Sequence, residues 1–132
     1  MNPWIDLRKS ARSFRYALAG IRELFFLENN AKIHLLAALA VVLLGVWLGL
    51  SATEWAIILT QIGLVWMAEG FNTALEKLAD VVSPGRHPQI RAVKDLSAGA
   101  VLLVVLVAVG VGVLIFGPKL LTLLKPVAAG FF

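Results

Sequence analysis

Carboxylates interrupt the middle of three apolar stretches in this chain. The run Glu69-Gly-Phe-Asn72-Thr-Ala-Leu-Glu76-Lys-Leu-Ala-Asp80 follows about fourteen mostly apolar residues that begin at Trp55. A charge in bilayer hydrocarbon costs roughly 3 kcal/mol or more, so acids kept there point to a task. Glu69, Asn72, Glu76 and Asp80 stand at i, i+3, i+7 and i+11. At about 100° per residue all four fall on one narrow stripe of a helix. A small chain that aligns acids in this way holds a cation, a proton or both.

The remaining residues are built for a membrane. Of 132 residues, 60% are hydrophobic and 15% charged, against about 25% charged in soluble domains. We expect one all-α integral membrane domain over residues 1–132. The absence of cysteine excludes disulfides and thiolate metal ligands. The net charge of +4 would suit nucleic acid, but the basic residues flank the apolar stretches. There they suit anionic lipid or phosphate, and no nucleic-acid partner is expected. The N-terminal segment is polar and basic for too long to read as a cleavable signal.

Residues 1–28 read as an amphipathic surface helix. Phe14, Leu18, Ile21 and Phe25 recur at helical spacing, and Arg8, Arg12, Arg15 and Arg22 mark a separate basic face. Such a helix lies in the membrane interface. Three membrane helices follow, over about 31–50, 55–80 and 90–116. Gly45 and Gly49 form a small-xxx-small pair suited to close helix approach. Ser51 and Glu54 have the composition of a helix start. The loop Val82-Ser-Pro-Gly-Arg-His-Pro-Gln separates the second and third spans. Gly117-Pro118 is expected to end the third, with a short interfacial helix after it. Six Lys/Arg precede the first span, none lies in the first connection, four lie in or beside the second and two in the tail. This bias places the N-terminus and the second connection in the cytoplasm.

Depth then divides the stripe. At 1.5 Å per residue Glu69 lies about 21 Å from Trp55 and Glu76 about 31 Å. If Trp55 marks one interface, Glu69 is still among acyl chains and Glu76 reaches the other. Glu28, where the surface helix meets the first span, sits at the level of Glu76. Two carboxylates there suit Mg²⁺, which keeps waters and phosphates in its shell. Lys94 can neutralise phosphate oxygens, and Glu69 can accept the proton of a lipid alcohol whose tail stays in the bilayer. No Gly-x-x-x-x-Gly-Lys-Ser/Thr loop and no protein-kinase signature is present. From these residues alone ATP is not distinguished from another anionic ligand. Glu69 also suits a small proton-coupled exporter.

The run Glu69-x-x-Asn72-Thr73-Ala74-Leu75-Glu76-x-x-x-Asp80, followed by His87 and by Lys94-Asp95, resembles the prokaryotic membrane diacylglycerol kinase and undecaprenol kinase family. Tyr16, Arg22 and Glu28-Asn29 match it upstream in spacing. The resemblance implies a homotrimer in the bacterial inner membrane, with three transmembrane helices and a surface helix per subunit. It implies transfer of phosphate from ATP, with Mg²⁺, to a membrane lipid alcohol at the cytoplasmic interface. Carried over, Glu69 is the catalytic base, and Glu28 and Glu76 are metal ligands that also meet the nucleotide. Asn72 and Asp80 support the site. Tyr16, Arg86, His87, Lys94 and Asp95 serve the nucleotide, and Lys9 and Arg12 match a phosphate-contacting segment. Sites in such trimers are composite. Leu75 stands where many members carry Ile, and Arg86 where an aromatic is frequent, which puts base stacking there in doubt. The Asn29-Asn30-Ala-Lys-Ile-His34 run and His87-Pro88 resemble the undecaprenol kinase branch, which favours a polyprenol over diacylglycerol.

Overall fold

The computed structural model describes residues 6–85 and 87–128, so Arg86 lies outside the described residues. Four helices follow in order: α1 (Leu7–Leu27), α2 (Asn29–Leu48), α3 (Ala52–Val82) and α4 (Pro88–Ala128). Three of the four starts have a local cause. The Asp6 carboxylate accepts from the backbone N–H of Arg8 at 3.0 Å and of Lys9 at 3.1 Å, which caps α1. Ser51 and Glu54 form a reciprocal capping box on α3. The Ser51 N–H donates to the Glu54 carboxylate at 2.7 Å, and the Glu54 N–H to the Ser51 hydroxyl at 3.3 Å. Pro88 opens α4, a position where its missing N–H removes no helical bond.

The α2–α3 turn explains both glycines of the spaced pair, and they do different work. Gly49 has φ +63° and closes α2. Its N–H reaches the Val46 carbonyl at 3.3 Å, and the Leu50 N–H reaches that of Gly45 at 3.1 Å. This Schellman pattern needs the left-handed conformation that glycine adopts freely. Gly45 is the packing residue: a Cβ there would lie 2.9 Å from the Trp55 ring.

α3 and α4 pack antiparallel and make the most extensive helix contact. Lys94 bonds Asp80 near one end, and Lys119 meets Glu54 at 3.2 Å near the other. Helical rise separates the two ion pairs by about 39 Å along α3 and about 38 Å along α4. The Ser51 backbone N–H, followed by the Ser51 hydroxyl and Lys119, holds the Glu54 carboxyl below the usual carboxylate range at this turn. Near the same turn, Leu50, Ile58 and Phe116 form a small apolar core, with Trp55, Ile115 and Leu120 against it.

α4 does not stop at Gly117-Pro118. It runs on to Ala128, 41 residues in all, so the expected end at 116 and the separate tail helix are corrected. Pro118 forfeits a hydrogen bond, but Phe116 and Leu120 bury against the core on either side of it and Lys119 engages Glu54. Packing across the proline carries the helix through.

α2 and the Pro88–Leu124 part of α4 are long and apolar enough to cross a membrane. α3 is less apolar, because Gln61, Glu69, Asn72, Glu76 and Asp80 interrupt it. Large apolar side chains stand exposed along α2 and α4, among them Leu36, Leu43, Leu103 and Leu114. Such an exterior is suited to lipid or to other membrane helices, not to water. α1 is amphipathic and exposed through Glu23, and only its last turns touch the bundle. There the Phe25 ring meets Trp66 edge-on at 5.0 Å.

Candidate active site

Glu28 is the single extended residue between α1 and α2, with φ −88° and ψ 125°. Its backbone N–H closes α1 on the Leu24 carbonyl at 3.3 Å. Its side chain makes no capping bond to α2, so the carboxylate is free to engage groups on other segments.

α3 carries the stripe from interior to surface. Glu69 is 2% exposed and Asn72 7%, Glu76 is half-buried, and Asp80 is exposed. An unpaired charge is rarely buried to that degree, so the position of Glu69 is a costly one for the fold. Asn30, His34, Glu28 and Glu76 are the polar groups that act on it. Glu69 and Glu76 are separated by two helical turns, about 10 Å along the axis. The two carboxylates therefore differ in burial and in position along α3.

Asn72 links the carboxylates to α4. Its Nδ2 donates to Glu76 Oε1 at 3.2 Å. The Ser97 hydroxyl lies 2.7 Å from Asn72 Oδ1 and 2.9 Å from the Lys94 carbonyl. One hydroxyl proton serves one acceptor at a time.

The residues expected at the nucleotide divide. Asp80, His87, Lys94 and Asp95 line one open pocket of about 700 Å³ at the α3–α4 turn. Within it, Lys94 bonds Asp80, and Asp95 lies 3.7 Å from Arg91 Nε. His87 Nδ1 accepts the Gln89 N–H at 3.3 Å, which caps α4. Glu28, Glu69, Asn72 and Glu76 form the second group. Tyr16, Lys9 and Arg12 stand exposed on α1, and among the described residues no contact carries them to either group.

Four residues escaped the sequence reading in these roles. Ser97 is three residues past Lys94, on the same helix face, which was a usable signal. His34 and Asn30 approach Glu69 only because α2 packs on α3. Lys77 bonds Glu23 on α1 and lies 3.5 Å from Glu28, a contact that depends on how α1 folds back.

An apolar cavity of about 190 Å³ lies between α2, α3 and α4. Its walls run from His34 and Trp66, at the level of Glu69, to Phe116. No group of three His, Cys, Asp or Glu side chains able to hold a metal occurs among the described residues. Glu28 and Glu76 give two hard oxygen donors. That set fits Mg²⁺ only when water and phosphate oxygens complete its shell.

The family model described as prokaryotic diacylglycerol kinase matches residues 15–116. An undecaprenol kinase of Bacillus subtilis is 39% identical over 115 residues, 87% of this chain and 94% of that protein. A diacylglycerol kinase of Synechocystis sp. is 37% identical over 124 residues, 93% of this chain and 71% of that protein. A diacylglycerol kinase of Escherichia coli is 28% identical over 94 residues, 71% of this chain and 77% of that protein. The exporter reading finds no support among these relatives. The aligned acids, the buried Glu69 and the match across most of the chain lead to one assignment: this chain belongs to the prokaryotic diacylglycerol kinase family, and its activity is that of a lipid kinase.

Proposed function

We propose that the chain transfers the γ-phosphoryl group of ATP to the hydroxyl of a membrane lipid alcohol at the cytoplasmic interface, with undecaprenol favoured over diacylglycerol. The observation that carries this reading is the enclosure of Glu69, two turns from Glu76 and one turn beyond Val65 and Trp66, which line the end of an apolar cavity that Glu69 itself does not line. A lipid hydroxyl can reach Glu69 while its tail remains among apolar side chains. The hydroxyl oxygen bonds to the γ-phosphorus as the bond to the ADP oxygen breaks, and the hydroxyl proton passes to Glu69. Glu28 and Glu76 would hold magnesium, which when bound neutralises phosphate oxygens. Asn72 orients Glu76 through its amide. Lys94 and His87, both lining the pocket at the α3–α4 turn, face the nucleotide, and Asp80 and Asp95 fix the basic groups beside them.

Three helices cross the membrane in this reading. The two α3–α4 ion pairs stand about 38–39 Å apart, close to the roughly 40–45 Å of a bilayer with its headgroup layers. The basic residues then put the N-terminus and the α3–α4 turn in the cytoplasm. Tyr16, Lys9 and Arg12 lie away from Glu69 in their own chain, which favours a trimer whose sites take α1 groups from a neighbour. The polyprenol preference rests on the resemblance of Asn29–His34 and His87-Pro88 to the undecaprenol kinase branch. The name of the Bacillus subtilis relative agrees with it.

The test is competition. Purified protein in mixed micelles receives MgATP carrying labelled phosphate, with undecaprenol and diacylglycerol present together. Undecaprenyl phosphate should be the main labelled lipid. Predominant phosphatidic acid would reverse the substrate assignment, and no labelled lipid would refute the reaction.

A further inference from the structure

Lys77 follows Glu76 on α3, yet its ammonium engages carboxylates from other segments. It bonds Glu23 on α1 and lies 3.5 Å from Glu28 at the α1–α2 junction. Glu23, Lys77 and Glu28 are all partly exposed, so as a tether for α1 the cluster would contribute little. Its position matters more. One of its two acids is the hinge residue whose side chain caps neither helix.

We propose that Lys77 is a placeholder cation, which occupies Glu28 until a divalent ion arrives with the nucleotide and which disfavours the ion arriving alone. The proposal rests on the reading of Glu28 as a metal ligand. Magnesium bonds carboxylate oxygen at about 2.0–2.1 Å, so an ion on the Glu28 oxygen nearest Lys77 would stand no more than about 5.6 Å from the ammonium. Two cations that close repel strongly at a partly buried site. Without nucleotide the ammonium keeps its place. The triphosphate brings enough negative charge to hold both the metal and the displaced ammonium. Glu23 is the second seat of that ammonium, and it sets how strongly Lys77 leans on Glu28.

Lys77 and Glu23 therefore give opposite expectations, which a simple tether does not. Mn²⁺ binding to the purified full-length protein is followed by the electron paramagnetic resonance signal of free Mn²⁺, without nucleotide. Lys77→Met should tighten Mn²⁺ binding about fivefold or more, and Lys77→Arg should leave it weak. Glu23→Gln should weaken it further, because the ammonium then rests on Glu28 alone. With ATP present the wild type and Lys77→Met should differ by less than about twofold. Unchanged or weaker binding in Lys77→Met overturns the proposal, as does a shift in the same direction for Lys77→Met and Glu23→Gln. If Lys77→Met does not fold, Lys77→Arg against Glu23→Gln decides alone, and equal affinities overturn the proposal. The variant Glu28→Gln separates the two readings. If Glu28→Gln leaves Mn²⁺ binding untouched, Glu28 is no ligand and both fall. If it weakens binding while Lys77→Met has no effect, only the placeholder falls.

Discussion

Asn72 gives its amide to Glu76 and not to Glu69, with Nδ2 3.2 Å from the Glu76 carboxylate. The buried end of the stripe and its half-buried end are thereby separated. Glu76 is held from within the bundle, while Glu69 faces groups on α2 and at the α1–α2 junction as well as Glu76 itself. A proton acceptor and a metal ligand can therefore share one helix without sharing one environment.

Ser97 steadies this arrangement from α4. Its hydroxyl is the partner of the Asn72 oxygen at 2.7 Å, and a hydrogen bond of this kind contributes about 0.5–1.5 kcal/mol. Ser97→Ala should lower kcat/KM for MgATP by roughly three- to tenfold, which corresponds to that energy. Steady-state kinetics at varied MgATP checks it. Unaltered kinetics would remove the Ser97–Asn72 bond from the working site.

Glu76→Gln isolates charge from hydrogen bonding, since the new side-chain oxygen still accepts from Asn72. The Mg²⁺ concentration for half-maximal rate should rise by about tenfold or more, equivalent to about 1.4 kcal/mol. Glu28→Gln should act in the same direction. A Mg²⁺ dependence identical to wild type would take the altered residue out of the metal shell.

Gly45→Ala tests the α2–α3 contact. The added methyl would lie 2.9 Å and 3.2 Å from two Trp55 ring atoms, closer than carbon atoms pack. We expect a loss of about 1–3 kcal/mol, visible as a lower apparent Tm in detergent. Gly20→Ala is the control. Nothing lies within 4 Å of a Cβ there, so that variant should unfold at or slightly above the wild-type temperature. Equal unfolding of both variants would contradict the packing role of Gly45.

Gln61 carries a buried amide oxygen with no hydrogen-bond partner among the described residues, and it lines the apolar cavity. An unsatisfied buried acceptor costs about 1–3 kcal/mol. Gln61→Leu should raise the apparent Tm. A lower Tm would mean that the amide is paired in the assembled protein.

Much of this was legible in residues. The stripe spacing gave α3 its polar face, because a helix period needs no tertiary information. The Ser51–Glu54 box was readable for the same local reason, whereas Pro88 was read as loop and in fact opens α4. The failures were tertiary. Pro118 reads locally as a stop, but the burial of Phe116 and Leu120 overrides it. Gly45 and Gly49 look equivalent as a spaced pair, and only the turn geometry assigns packing to one and the cap to the other. His34 carries no local signal of its approach to Glu69, which needs α2 laid against α3. Lys77 has no local signal as a partner of Glu28, because that contact depends on α1 returning to the bundle.

The account turns on Glu69 acting as proton acceptor at a depth the nucleotide does not reach. Glu69→Gln keeps the size of the side chain and removes its basicity. The direct measurement pairs phosphoryl transfer to the lipid with the equilibrium binding of MgATP by the same purified variant. Turnover should fall by about a thousandfold or more, in the upper range of general-base effects, with the Kd for MgATP within about threefold of wild type. A variant that still turns over, or one whose nucleotide affinity collapses along with its rate, would contradict it.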